Sequence, residues 1–401
     1  MSVQWTRIGL DTGSPVIPPP IPAEELARRW DAVRRGLIDA GLDALLVFGN
    51  ESEFSSLRYV SDYWPLFESG AAAFAPSGEP ILLCGPESEA FAVQRGRMDR
   101  VRCIRSLRES ADPSYPEVAL ATYADVLREL AVVSPRRVGI AGSFAANLVI
   151  MDELRESLPG ASLVRADEII SDLRIVKSAW EAENLRAAFR VSEIALDAVL
   201  ERLRPGLTEQ QVVGIAQAAM YANGAEYEGM AQYVLSGPNS RPAISRPAPR
   251  VIGRDEVVQL NISARVNGYS SGVGRPVVVG TPSTAHRDLI EFCRDAHLAT
   301  RQWLRPGADA SEIARNYRQF FTERGRDDAF LYGPCTGLGL METERPWIET
   351  DSSYTIQPGM AFQLDTFAQG PDIGARWENG CIVHADGVEM LSSRHMDTYT
   401  L

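Results

Sequence analysis

The tetrapeptide Leu-Arg-Pro-Gly occurs at 203–206 and again at 304–307, and each copy stands between two helical stretches. Proline lacks an amide hydrogen and glycine adopts the left-handed conformation that ends a helix, so the pair is a stop signal. Taken alone, the tetrapeptide would be no more than that. The flanking order matches as well: an Ala- and Leu-rich segment precedes each copy, and a capping residue (Thr208, Asp309) with another amphipathic stretch follows it. Strand-like runs come next in both cases, Val257 to Ile262 and Pro276 to Val279 after the first, Met360 to Phe367 and Cys381 to His384 after the second. This order predicts an α+β domain built from two similar halves. It opens near Ser178 and Glu181, a capping box that starts a long helix running to about Leu203.

Upstream the pattern changes. Residues 1–21 are proline-rich without periodic apolar positions and predict an extended arm. A helix follows, with Pro22 and the acidic pair Glu24 and Glu25 at its start, Leu26, Trp30, Val33 and Leu37 on one face, and Gly41 at its end. Apolar runs at Ala44 to Phe48, Ile81 to Cys84 and Val138 to Ala141 alternate with helical stretches such as Val118 to Leu130, the signature of an α/β layer domain. The expected organisation is an arm over 1–21, an α/β domain over 22–172 and the α+β domain over 173–401.

The net charge of −13 is spread along the chain with no basic block, which disfavours nucleic-acid binding. No apolar run approaches the roughly 18 residues of a membrane span, and Met1 to Pro20 lacks the features of a secretory signal. Five scattered cysteines without a CxxC pair read as reduced thiols, so the expected location is cytoplasmic.

The second domain carries a series of landmarks. Ser236-Gly237-Pro238-Asn239 resembles an SGxN segment, and Val258-Gln259-Leu260-Asn261 resembles the strand of a first metal ligand. Residues 268–275, Gly-Tyr-Ser-Ser-Gly-Val-Gly-Arg, resemble GYxSDxTR. Residues 333–342, Gly-Pro-Cys-Thr-Gly-Leu-Gly-Leu-Met-Glu, resemble GHGIGLxxHE; residues 358–365 resemble PGMVFTIE; residues 374–379 resemble GxRxED. In order and spacing these resemble the creatinase and aminopeptidase P family, whose catalytic domain has the pita-bread fold. The resemblance implies that fold here, behind a creatinase-type α/β amino-terminal domain.

In such enzymes two divalent ions are held by five side chains. The resemblance places those positions at Asn261, Gly272, Pro334, Asp365 and Glu378, of which only the last two are carboxylates. The family's usual histidine positions fall on Ile244, Pro334 and Met341, and the four histidines present, His286, His297, His384 and His395, lie outside the landmarks. The expectation is a site without metal or other cofactor. Creatinase, the metal-free relative, shares the Leu260-Asn261 pair but depends on a histidine and a glutamate at the positions of Ile244 and Gly274.

Glu342, Asp365 and Glu378 remain as candidate catalytic acids. Crowded carboxyls without a metal raise one another's pKa and can then serve as general acid and general base. The competing reading pairs them with Arg275, Arg345 or Arg376 as structural bridges. Arg376 and Asn261 are expected to orient substrate, with Cys335 bordering the same cavity either as a substrate contact or nucleophile, or as a small apolar filler. Arg58, Tyr63 and Trp64 lie in a segment that creatinase-like relatives extend into a neighbouring subunit's pocket; ordinary packing is the alternative. The resemblance thus implies a homodimer acting on a small polar molecule, most simply by hydrolysing the C–N bond of an amide, amidine or cyclic amide. An elimination or rearrangement, or a binding role without catalysis, uses the same residues.

Overall fold

The two Leu-Arg-Pro-Gly turns form matching hydrogen bonds in the computed structural model, which describes residues 17–109, 114–397 and 399–401. Gly206 N donates to Ile252 O and Ile252 N to Leu207 O; Gly307 N donates to Ile356 O and Ile356 N to Ala308 O. Thr208 caps the helix Glu209–Ala222 and Asp309 caps Ala310–Glu323, each accepting from the amide three residues on. Both caps also bridge to an extended segment, Thr208 to Val251 and Asp309 to Thr355. Two stretches of unlike sequence thus solve the same problem, orphaned amides at a helix start, with the same geometry. Most of the arm expected over 1–21 lies outside the described residues.

The chain divides into two compact units, Pro19–Arg174 and Ile175–Leu401, the latter together with Ile17 and Pro18. Among the described residues of the first unit, seven strands form one sheet. They are β1 (Ala44–Gly49), β2 (Gly70–Phe74), β3 (Ile81–Cys84), β4 (Val101–Ile104), β5 (Leu120–Ala121), β6 (Arg137–Ala141) and β7 (Ser162–Arg165), in the order β5-β4-β3-β2-β1-β6-β7. Strand β2 runs antiparallel to both neighbours and the other pairs are parallel. Every residue of β1 is buried, as its continuous apolar run requires. Val118 to Leu130 is not one helix: the Thr122–Asp125 capping box starts the helix at Tyr123, leaving Leu120–Ala121 as an edge strand.

Gly142 follows β6 in the left-handed region at φ 65°, and a Cβ there would stand 2.0 Å from the Phe48 carbonyl oxygen. Gly142→Ala combines backbone strain with a clash against fixed main chain, so we expect a loss of about 2–4 kcal/mol, read from the denaturant midpoint of the intact protein.

The second unit adds β8 (Tyr227–Glu228), β9 (Tyr233–Ser236), β10 (Glu256–Ile262), β11 (Ala264–Val266), β12 (Tyr269–Ser270), β13 (Val273–Val279), β14 (Cys335–Gly337), β15 (Glu344–Ile348), β16 (Ala361–Gln369), β17 (Gly374–His384), β18 (Gly387–Met390) and β19 (Tyr399–Thr400). The main sheet runs β15-β14-β16-β17-β13-β10-β9, with β18 on β17 and β19 on β13. The run expected as a separate strand at Cys381 to His384 is the end of β17, which starts at Gly374. Alternation sends even-numbered residues of β16 to an apolar core: Phe362 and Leu364 join Cys335, Ile313 and Ala314, which lies on the helix Ala310–Glu323. The odd-numbered residues Gln363, Asp365 and Phe367 share the opposite face. None of the helices among the described residues is long and apolar enough to cross a membrane.

Candidate active site

Asp365 and Glu378 stand directly opposite each other on β16 and β17, and antiparallel register gives paired residues the same face. Arg376, two residues before Glu378, shares that face. Its Nε lies 3.2 Å from Asp365 Oδ1 and 3.8 Å from Glu378 Oε1. The same guanidinium donates to the Ala243 carbonyl at 2.7 Å and to the Tyr332 hydroxyl at 2.9 Å. Tyr332 in turn donates to Asp365 Oδ2 at 2.7 Å, closing a ring of polar contacts. The rings of Phe367 and Tyr233 lie under the guanidinium at 5.1 and 5.7 Å, so its flat faces are covered as well.

Asn261 reaches the pair from β10 and donates through Nδ2 to Glu378 Oε2. Gln259, on the same strand, orients it by donating to Asn261 Oδ1 at 2.9 Å, and it also exchanges hydrogen bonds with the main chain of Arg376. The aspartate-to-asparagine difference is thus built in: an amide offers a donor where a carboxylate would add charge. Arg275 does not bridge the acids. It donates to the backbone carbonyls of Gly274, Glu378 and Arg394.

Burial dominates the protonation of the cluster. Desolvation raises Glu378 well above the usual carboxylate range, and Asp365 adds repulsion, only partly offset by Arg376. Glu342 is raised to about 7 by burial and by Asp365, against the stabilising Thr343 hydroxyl and Arg376. Exposure differs along the cluster: the Glu378 side chain keeps 2% and Asp365 keeps 20%, and Glu342 is also partly exposed, so Glu378 is the most enclosed of the three acids.

The structure therefore brings Glu342, Asp365, Glu378, Arg376 and Asn261 together. It does not bring Cys335. That residue pairs with Leu364 across β14 and β16, on the face that meets the apolar core, and is 1% exposed. Burial pushes its thiol well above the ordinary range, which removes it as a nucleophile or contact. Tyr63 is also corrected: its ring is fully buried against Phe91 inside the first unit, where no substrate can pack on it. In that unit Trp64 donates to the Glu51 carbonyl at 2.9 Å, and the Arg58 guanidinium sits over its ring at 5.5 Å. The Trp64 ring thus packs on a cation that the chain itself supplies. Tyr332, Tyr233, Gln259 and Gln363 were not singled out in the sequence. All four lie in or beside the landmark segments, where alternation from Asn261 and Asp365 would have identified the two glutamines.

The metal pair implied by the resemblance can be tested on this geometry. Among the described residues, no group of three or more His, Cys, Asp and Glu side chains is placed to hold a metal ion. The space between the opposed carboxyls is claimed by a guanidinium. A side chain at position 272 would meet Gln363 Nε2 at 2.7 Å, and Pro334 offers no side-chain donor atom. The residues present do not fit two divalent ions.

The sequence matches metallopeptidase family M24 over residues 183–385 and the creatinase/prolidase N-terminal domain over residues 29–176. It is 26% identical over 255 residues to an Xaa-Pro dipeptidase of Pyrococcus furiosus, a match covering 63% of this chain and 73% of that protein. A second Xaa-Pro dipeptidase, from Lactobacillus helveticus, is 26% identical over 61% of this chain and 67% of its own. In fold, the chain is similar to a prolidase from Thermococcus sibiricus, with TM-score 0.81 and 20% identity over 94% of this chain and 99% of that one. It is also similar to an X-Pro aminopeptidase from Thermotoga maritima, with TM-score 0.79 and 19% identity over 93% and 99%. An α/β amino-terminal unit of creatinase type followed by a pita-bread unit is the architecture that these matches share. By this match, which spans half of its length, the chain belongs to metallopeptidase family M24.

Proposed function

We propose that this chain is a hydrolase that cleaves a C–N bond in a small polar molecule by carboxylate general acid–base chemistry, without a bound metal. The observation that carries the reading is the opposed pair Asp365 and Glu378 with the Arg376 guanidinium between them. The dipeptidase and aminopeptidase names of its relatives support a hydrolase. The three replaced positions support a different way of activating water.

In this reading Glu342 takes a proton from water as the oxygen attacks the amide or amidine carbon. Glu378, kept protonated by burial, gives its proton to the departing nitrogen. Asn261 holds Oε2 of Glu378, which leaves Oε1 to carry the proton. Arg376 and Tyr332 hold Asp365 as a fixed negative wall that favours cationic charge developing at the nitrogen. The C–O bond forms and the C–N bond breaks, which leaves Glu342 protonated and Glu378 ionised; return of that proton from Glu342 to Glu378 through solvent restores both before the next turnover.

A base must be ionised to work, and Glu342 loses its proton near pH 7. Turnover should therefore rise as pH increases through about 7 and fall about tenfold per unit below it; Glu342→Gln should remove that limb together with most of the rate. The test is release of amine or ammonia from a panel of amides, amidines and cyclic amides, using protein exhaustively treated with chelator. Activity that appears only after divalent metal is restored, on Xaa-Pro dipeptides, would sink the proposal. A second reading, ligand binding without catalysis, is favoured by the ties of Arg376 to Asp365, Tyr332 and the Ala243 carbonyl; binding from the same panel with no turnover would establish it. A homodimer also belongs to this proposal and would sediment at twice the chain mass.

A further inference from the structure

Gln363 lies on the site face of β16, fully buried, two residues before Asp365. Its amide has a defined orientation: Nε2 donates to the Gly272 carbonyl at 2.8 Å, so the oxygen must point the other way. That oxygen, Oε1, has no hydrogen-bond partner in the protein, and neither has the buried Oγ1 of Thr336, the residue paired with Gln363 across β14. The nitrogen end of the amide is the end turned toward Gly272 and Glu342. A point one bond out from the Gly272 Cα is 2.7 Å from Gln363 Nε2 and 3.4 Å from Glu342 Oε1. A buried acceptor left unpaired is costly, and sites that hold one select strongly for ligands that supply the missing donor.

We propose that Gln363 Oε1, with Thr336 Oγ1 in the neighbouring register position, is the specificity contact of this site, accepting an N–H from the amide or amidine end of the substrate. The surroundings agree on the sign of the ligand. Glu342, Asp365 and Glu378 are acids, and the cation among them, Arg376, is already bonded to Asp365, Tyr332 and Ala243. A carboxylate ligand would meet acceptors and acids; a neutral amide or a cationic amidine brings donors to both. The substrate part of this inference rests on the C–N hydrolase reading, whereas the binding part does not.

The isosteric set benzamidine, benzamide and benzoate tests it by calorimetric titration of the full chain at pH 8, with no turnover required. Benzamidine and benzamide are expected to bind, and benzoate at least about 100-fold more weakly. Gln363→Leu should weaken benzamide and benzamidine by about tenfold, the loss of one buried hydrogen bond. Should Gln363→Leu fail to fold because the Gly272 carbonyl loses its donor, Thr336→Val and Gln363→Glu keep the question open to measurement. Thr336→Val should weaken both ligands a few-fold, and Gln363→Glu should favour benzamidine over benzamide by about tenfold or more. Equal affinity for all three probes, binding by none of them, or titrations unchanged in these variants would overturn the assignment. These titrations stand even if no substrate is ever turned over, and flat titrations beside intact amide turnover would reject Gln363 alone.

Discussion

Arg376→Met should destabilise the protein by about 3–5 kcal/mol at pH 8, because it removes the cation from a buried cluster of acids and leaves their charges uncompensated. Methionine matches the length of the arginine stem, so packing on Phe367 and Tyr233 changes little and the lost term is electrostatic. Asp365 Oδ1, 3.2 Å from the guanidinium, loses its ion pair, and the Ala243 carbonyl loses its donor. The pH dependence identifies the cause. With the guanidinium gone, the acids are pushed further toward their protonated forms, so the deficit shrinks as pH falls toward 5 and the carboxyls accept protons. Urea unfolding of wild type and variant at pH 5 and pH 8 measures both quantities. A deficit of the same size at the two pH values would mean that the arginine acts by packing, and that it is not the counter-cation of the site.

Glu378→Gln should lower kcat by about 10²- to 10⁴-fold with the fold intact. The amide has the shape of the protonated acid, and its oxygen accepts the Asn261 donor that Glu378 Oε2 now accepts. Replacing a carboxyl that burial holds protonated with a neutral group of equal volume is expected to leave stability unchanged or slightly raised. The two readouts separate the roles: loss of turnover with unchanged circular dichroism and an unchanged unfolding midpoint marks a catalytic acid. A change confined to KM would assign Glu378 to binding, and turnover at the wild-type rate would remove it from the mechanism.

The Gly142 substitution tests the first unit in isolation from this chemistry, and the Glu342 and Gln363 variants divide proton transfer from recognition within the second. Sequence reasoning reached different depths in the two places. Landmark spacing located Asp365, Glu378 and Arg376, since strand alternation puts residues 376 and 378 on one face whatever the rest of the chain does. Cys335 was misplaced by a parity of one. Thr336 and Cys335 are neighbours on β14, and only pairing with Gln363 and Leu364 decides which of them looks into the site. Tyr63 failed for a related reason: an aromatic run shows which residues are large, and their burial depends on what packs against them.

From the order of its residues alone, this chain determined where helices stop and start, because caps, prolines and glycines act on their immediate neighbours through local hydrogen bonds. The same order placed two acids and an arginine at strand positions facing one way. Which charges neutralise one another was decided only when β10, β16 and β17 came together. There, desolvation, Coulomb forces among Glu342, Asp365 and Arg376, and a hydrogen bond from Asn261, 117 residues away, set the protonation of Glu378; the same pairing settled Arg376 between two acids and left the oxygen of Gln363 without a donor.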